Sequence, residues 1–91
     1  MAKEQRTVHY SGTVQGVGFR YTACRVAQRY DVTGYVRNVS DGRVECLVEG
    51  ESAEIGEFLA ELAEHMRGYI DGQEQSQTPY TGLYKHFGVR H

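Results

Sequence analysis

Between Gly12 and Arg20 the chain reads Gly-Thr-Val-Gln-Gly-Val-Gly-Phe-Arg. Glycine at 16 and 18 permits the left-handed backbone that turns successive N–H groups into one concavity. A helix starting directly behind them adds N–H groups without an intrahelical acceptor, and the positive end of its dipole. Arg20, in that helix's first turn, supplies a planar fork of donors matched to an oxyanion. Gln15, Gly16, Val17, Gly18, Phe19 and Arg20 therefore read as a cradle for a phosphate. The spacing is not that of a Walker A loop, whose second glycine is followed by Lys-Ser/Thr. It is not a dinucleotide fingerprint either, which needs glycine where Tyr21 stands and a second βαβ half. The residues alone leave open a plain glycine turn whose Arg20 pairs with a surface carboxylate.

Residues 15–20 contain no serine, cysteine or histidine, so a covalent phosphoenzyme has no nucleophile there. His9, His65, His86 and His91 show no ligand spacing, so neither a metal nor an organic cofactor is expected. Glu51, Glu54, Glu57, Glu61 and Glu64 read as the wet face of a helix rather than an acid–base pair. What remains is backbone N–H groups, one arginine and neutral amides, which position and neutralise but do not protonate a leaving group. That suits a phosphate bond whose leaving group departs unaided, as the carboxylate of an acyl phosphate does. Asn38, ending a strand-like run, offers an acceptor and donors without charge and is suited to holding a water. On the residues alone, support of the Asp41-Gly42 turn is the stronger account of it. Arg37, Arg43 and Arg90 read as surface partners of glutamates.

The elements that must position these groups follow from periodicity. Residues 1–6 are polar and aperiodic and are expected to form a loose tail ahead of one domain over residues 7–91. Val8, Tyr10 and Val14 share one face of a strand from Thr7 to Val14. Phe19, Ala23, Val26, Ala27 and Tyr30 recur at helical spacing to about Asp31. Val32 to Val39 is a second strand, and Ser40-Asp41-Gly42 a hairpin turn with Gly42 left-handed. Arg43 to Glu49 alternates around Val44, Cys46 and Val48, and Gly50 ends it. Ser52 is an expected N-cap for a helix marked by Ile55, Phe58, Leu59, Leu62, Ala63 and Met66, and stopped by Gly68. Tyr69 to Gln77 reads as a short polar edge strand, and Leu83, Phe87 and Val89 as a last strand. The order is βαββαβ plus a C-terminal strand: a ferredoxin-like two-layer α+β sandwich, two helices on one face of a mainly antiparallel sheet.

Composition sets the bounds. The 91 residues are 40% hydrophobic and 24% charged with a formal net charge of −2, so no basic field recruits nucleic acid. No apolar stretch approaches membrane-spanning length and residues 1–6 lack a signal peptide's apolar segment, so a cytoplasmic protein without membrane partners is expected. Cys24 and Cys46 form no framework; Cys46 is expected in the core as a free thiol. Nothing calls for an obligate dimer, and a monomer is expected.

Three motifs in order, Gly12 to Arg20, Gly34-Tyr-Val-Arg-Asn38 and Asp41-Gly-Arg-Val-Glu45, resemble the acylphosphatase family, and Phe87-Gly-Val-Arg90 is similar to that family's last strand. Tyr35 stands where the family often has tryptophan, and Gly88 where a bulkier residue is usual. The resemblance implies hydrolysis of small acyl phosphates to carboxylate and inorganic phosphate by direct attack of a positioned water, without a metal. It implies that residues 15–20 bind the phosphoryl group, with phosphate or sulfate as product-like ligands. It makes Arg20 and Asn38 catalytic, Asn38 orienting the water. A phosphate-binding regulatory module on the same fold is the rival, and it has no need of a water-orienting amide at Asn38. An RNA-binding sheet surface is disfavoured, because aromatic and basic residues do not interleave.

Overall fold

In a computed structural model, which describes residues 2–91, the elements are β1 (Lys3–Gly12), α1 (Phe19–Ala27), β2 (Val32–Asn38), β3 (Val44–Glu51), α2 (Ser52–His65), β4 (Ile70–Pro79) and β5 (Phe87–Val89). The five strands form one sheet in the order β4-β1-β3-β2-β5, antiparallel except for β2 and β5. Phe19, Ala23 and Val26 of α1 and Ile55, Phe58 and Leu62 of α2 bury against Val8, Val36, Cys46 and Val48 in one core. Both helices therefore cover the same face, as the ferredoxin-like reading requires. Among the described residues, no helix is long and apolar enough to cross a membrane.

Register places the site. Val8 and Val36 both pair with Cys46, and all three are fully buried. Two residues along, Tyr10 and Asn38 both pair with Val44. Side chains alternate between faces and paired residues share one, so Asn38 faces the helix layer at the end of the row Tyr10–Val44–Asn38. The opposite face carries a polar cluster. Glu45 accepts hydrogen bonds from His9 Nε2 (2.9 Å), Tyr35 Oη (2.6 Å) and Arg37 Nε (2.8 Å), tying β1, β2 and β3 together. Nearby, fully buried Glu49 accepts from Gln5, from the amide and hydroxyl of Thr81 and from the amide of Gly82, pinning the β4–β5 connection.

Several expected boundaries shift. The loose tail is overturned from residue 3 onward: Lys3 to Arg6 pair with Glu51 to Val48, and Glu4 to Arg6 also pair with Pro79 to Gln77. Met1 lies outside the described residues. This part of β1 is polar because its side chains bond each other; buried Glu4 accepts from Arg6 and from Ser52. The N-cap of α2 is Glu51, without a side-chain cap bond, and the Ser52 hydroxyl goes to Glu4 instead. Strand β3 runs through Gly50 to Glu51. Helix α1 ends at Ala27, where the amides of Gln28, Arg29 and Tyr30 turn back to Arg25, Val26 and Ala27 in a tighter turn. Strand β4 is ten residues long rather than short, held by its ladder to β1 and not by apolar alternation. Val14 lies beyond β1 yet stays buried.

Candidate active site

The chain leaves β1 at Gly12, crosses residues 13–18 and enters α1 at Phe19. Gly16 (φ 79°) and Gly18 (φ 80°, ψ 19°) are both left-handed, and a Cβ built on either meets nothing within 4 Å. Backbone conformation, not crowding, therefore demands glycine here, and the space facing them is open. Gly18 caps α1 without a side-chain bond, and the first turn carries no acidic residue. The first-turn N–H groups thus have no side-chain acceptor within the cap, an arrangement that can take an external anion. Phe19 anchors the turn: it is buried, with its ring 4.9 Å from that of Tyr10.

Gly16, Gly18, Phe19, Arg20 and Asn38 line one cleft of about 390 Å³, together with Val14, Tyr21, Cys24, Val89 and His91. Arg20 is half-buried and, among the described residues, pairs with no carboxylate. The surface pairing that the residues alone left open for it is absent from these contacts. The other arginines are engaged: Arg37 with Glu45, Arg43 with Asp41, and Arg90 over the ring of Tyr35 at 4.0 Å rather than on a glutamate. Asn38 Oδ1 is buried and accepts no hydrogen bond from the described residues. A buried amide oxygen without a donor costs about 1–3 kcal/mol, so this one suits a small donor entering the cleft. The hairpin does not need Asn38: its turn is closed by Val39 N–H to Arg43 (2.8 Å), Gly42 N–H to Val39 (3.0 Å) and Arg43 N–H to Asp41 Oδ1 (3.1 Å).

Gln15 and Val17 do not line this cleft. Val17 packs on the core. The Gln15 amide donates to the carbonyls of Val39 (2.8 Å) and Arg43 (2.9 Å). Sequence reasoning also missed Tyr21 and Val89 as cleft residues; the available signal was an aromatic standing off the apolar stripe of α1. Burial pushes the Cys24 thiol above its ordinary range, and does the same more strongly at Cys46; both cysteines are free. Among the described residues, no three His, Cys, Asp or Glu side chains group as metal ligands.

A family model for acylphosphatase matches residues 6–89. An acylphosphatase of Caldanaerobacter subterraneus subsp. tengcongensis is 36% identical over 88 residues, covering 93% of this chain and 98% of the relative. The solved acylphosphatase of Bacillus subtilis superposes with a TM-score of 0.88 at 27% identity, covering 97% of this chain and 99% of that one. The Coxiella burnetii acylphosphatase gives 0.85 at 30% identity, covering 98% and 94%. Matched by the family model over residues 6–89 and by a relative 36% identical over nearly its whole length, the chain belongs to the acylphosphatase family, hydrolases of acyl phosphates.

Proposed function

We propose that residues 15–20 hold the phosphoryl group of a small acyl phosphate while Asn38 holds the attacking water. The observation that carries this is the pairing of two unsatisfied groups in one cleft. Arg20 is a cation with no carboxylate among the described residues, and Asn38 Oδ1 is an acceptor with no donor. The backbone N–H groups and the Arg20 fork bind the phosphoryl oxygens and offset the charge that builds on them. The water oxygen bonds to phosphorus as the bond to the acyl oxygen breaks. The electron pair leaves on the carboxylate, and the water's protons pass to phosphate and solvent. Because a carboxylate leaves without protonation, the site needs no general acid.

The test is release of inorganic phosphate from acetyl phosphate in excess chelator, with added phosphate as inhibitor. Turnover undiminished by chelator and competitively inhibited by phosphate is expected. Turnover that vanished with chelation and returned with Mg²⁺ or Zn²⁺, or noncompetitive inhibition by phosphate, would overturn the reading.

A further inference from the structure

On the face of the sheet that the helices leave bare, β2, β5 and the chain leading into β5 enclose a second hollow, of about 490 Å³. That lies within the roughly 300–1,000 Å³ of small-molecule sites. Val36 is fully buried under the helices and pairs with Val89, while its neighbour Tyr35 pairs with Gly88. Alternation therefore puts Tyr35 and Gly88 on the opposite, helix-free face. Arg90 joins them there, its guanidinium 4.0 Å over the Tyr35 ring.

Gly88 opens the hollow. Its φ is not left-handed, and a Cβ built on it meets only His86 Cδ2, at an ordinary 3.8 Å. Neither backbone conformation nor crowding demands glycine, and a side chain at this position would project beside Tyr35 and fill the space. The walls are preformed. The Tyr35 hydroxyl donates to Glu45 (2.6 Å), and the Tyr84 ring stands 5.9 Å from that of Tyr35, tilted by 50°. The chain that carries Leu83, Tyr84 and Lys85 is pinned at Thr81 and Gly82 by Glu49. At its other end the carbonyl of His86 accepts from the amide of Gly34 (3.0 Å).

The chemistry of this lining is one-sided. Tyr35, Tyr84 and Leu83, which is 77% exposed, supply aromatic and apolar surface. Lys85 and Arg90 supply cations, and among the described residues neither pairs with a carboxylate. No Asp or Glu lines the hollow, although the whole chain has a formal net charge of −2. A local excess of positive charge beside aromatic rings complements an anion with a flat body.

We propose that this hollow is a second ligand site, separate from the catalytic cleft, for a small planar aromatic ring bearing an anionic group: an aryl carboxylate or a nucleoside monophosphate. The ring takes the space that a side chain at position 88 would fill, against Tyr35 and Tyr84. Its anionic oxygens reach Lys85 and the Arg90 guanidinium. No bond is made or broken there, and binding is independent of what the glycine loop holds.

The probes are benzoate and adenosine monophosphate, titrated at constant ionic strength with inorganic phosphate kept saturating to occupy the glycine loop. Backbone amide NMR shifts report both place and affinity, and they are expected to concentrate at residues 34–36 and 83–90. Benzyl alcohol and adenosine, the same rings without the charge, should bind about tenfold more weakly or worse, since the charge-assisted bonds are lost. Gly88→Val should weaken the charged probes about tenfold by filling the slot. Lys85→Ala, a change at an exposed side chain, should weaken them severalfold while acetyl phosphate turnover stays at the parent's value. The tighter of the two charged probes identifies the source of the ring. No saturable shift with either charged probe overturns the site. So do shifts confined to residues 16–24, equal affinity for charged and uncharged rings, or affinities untouched by both variants.

Discussion

The side-chain amide of Gln15 donates to the carbonyl of Val39 at 2.8 Å, and the same nitrogen reaches Arg43 at 2.9 Å. One residue of the cradle loop thus clamps the hairpin that begins immediately after Asn38. This clamp and the β1–β3–β2 register behind it set how far the glycine loop lies from Asn38.

Removing the clamp should therefore separate binding from chemistry. In Gln15→Ala the glycine loop keeps its own N–H groups, so phosphate inhibition should change little. Turnover should fall about tenfold or more, because a misplacement near 1 Å is costly to an aligned reaction. Steady-state rates and phosphate inhibition constants on the same protein check this. A loss of phosphate affinity matching the loss of turnover would make the Gln15 side chain, and not its backbone alone, part of the phosphate site.

Arg20 should behave as a fork and not as a charge. Inorganic phosphate at about 100 times its dissociation constant should stabilise the parent by about 2.7 kcal/mol through mass action. Arg20→Lys should lose most of that thermal shift, since an ammonium does not make two parallel bonds to one anion. Thermal unfolding with and without phosphate decides it, and a full shift retained in Arg20→Lys would assign the anion to other groups.

The residues that position the site were unequally legible in the sequence. Phe19, Ala23 and Val26 announced α1 because burial on one face imposes a period of 3.6. Strand β1 was under-read, since Glu4 to Arg6 hold their places through backbone ladders and polar bonds that leave no apolar alternation, whereas β4, expected over Tyr69 to Gln77, runs Ile70–Pro79 at the sheet edge. Arg20 was legible from its place behind two glycines. Asn38 was legible only through the family resemblance, since an amide before Asp-Gly reads as a turn residue until the structure shows the turn closing without it. The Gln15 clamp was not legible, because its acceptors are backbone atoms 24 and 28 residues away and carry no side-chain signature.

Glu45 should set part of the acid limb of stability. The Arg37 bond, reinforced by Tyr35 and His9 against the cost of burial, holds its carboxyl down at about 2, against an ordinary 4.5. A carboxyl depressed in the folded state stabilises fully above the unfolded value and loses that contribution as pH falls from about 4.5 toward 2. Glu45→Gln should cost about 2 kcal/mol at neutral pH, the scale of a hydrogen bond to a charged group. It should also flatten the decline between those pH values. Urea unfolding across that window tests it; an acid limb as steep as the parent's would assign the effect to other carboxylates.

Asn38→Ala separates an enzyme from a phosphate binder on the same fold. Its amide oxygen is buried in the cleft without a donor, while the turn beside it is closed by other groups. Truncation should therefore not lower the urea midpoint, since it removes a buried acceptor that has no donor. Turnover of acetyl phosphate should fall about 10²-fold or more, the scale of removing one preorganised polar group from a transition state. The phosphate inhibition constant should change far less, because the proposed anion site is the loop and Arg20, not Asn38. Asn38→Asp adds a second arm: it keeps the acceptor but places a negative charge beside the phosphoryl oxygens, so it should weaken phosphate binding where Asn38→Ala does not. Equal losses of turnover and phosphate affinity in Asn38→Ala would make Asn38 a binding residue. Undiminished turnover in that variant would remove the water from Asn38 altogether.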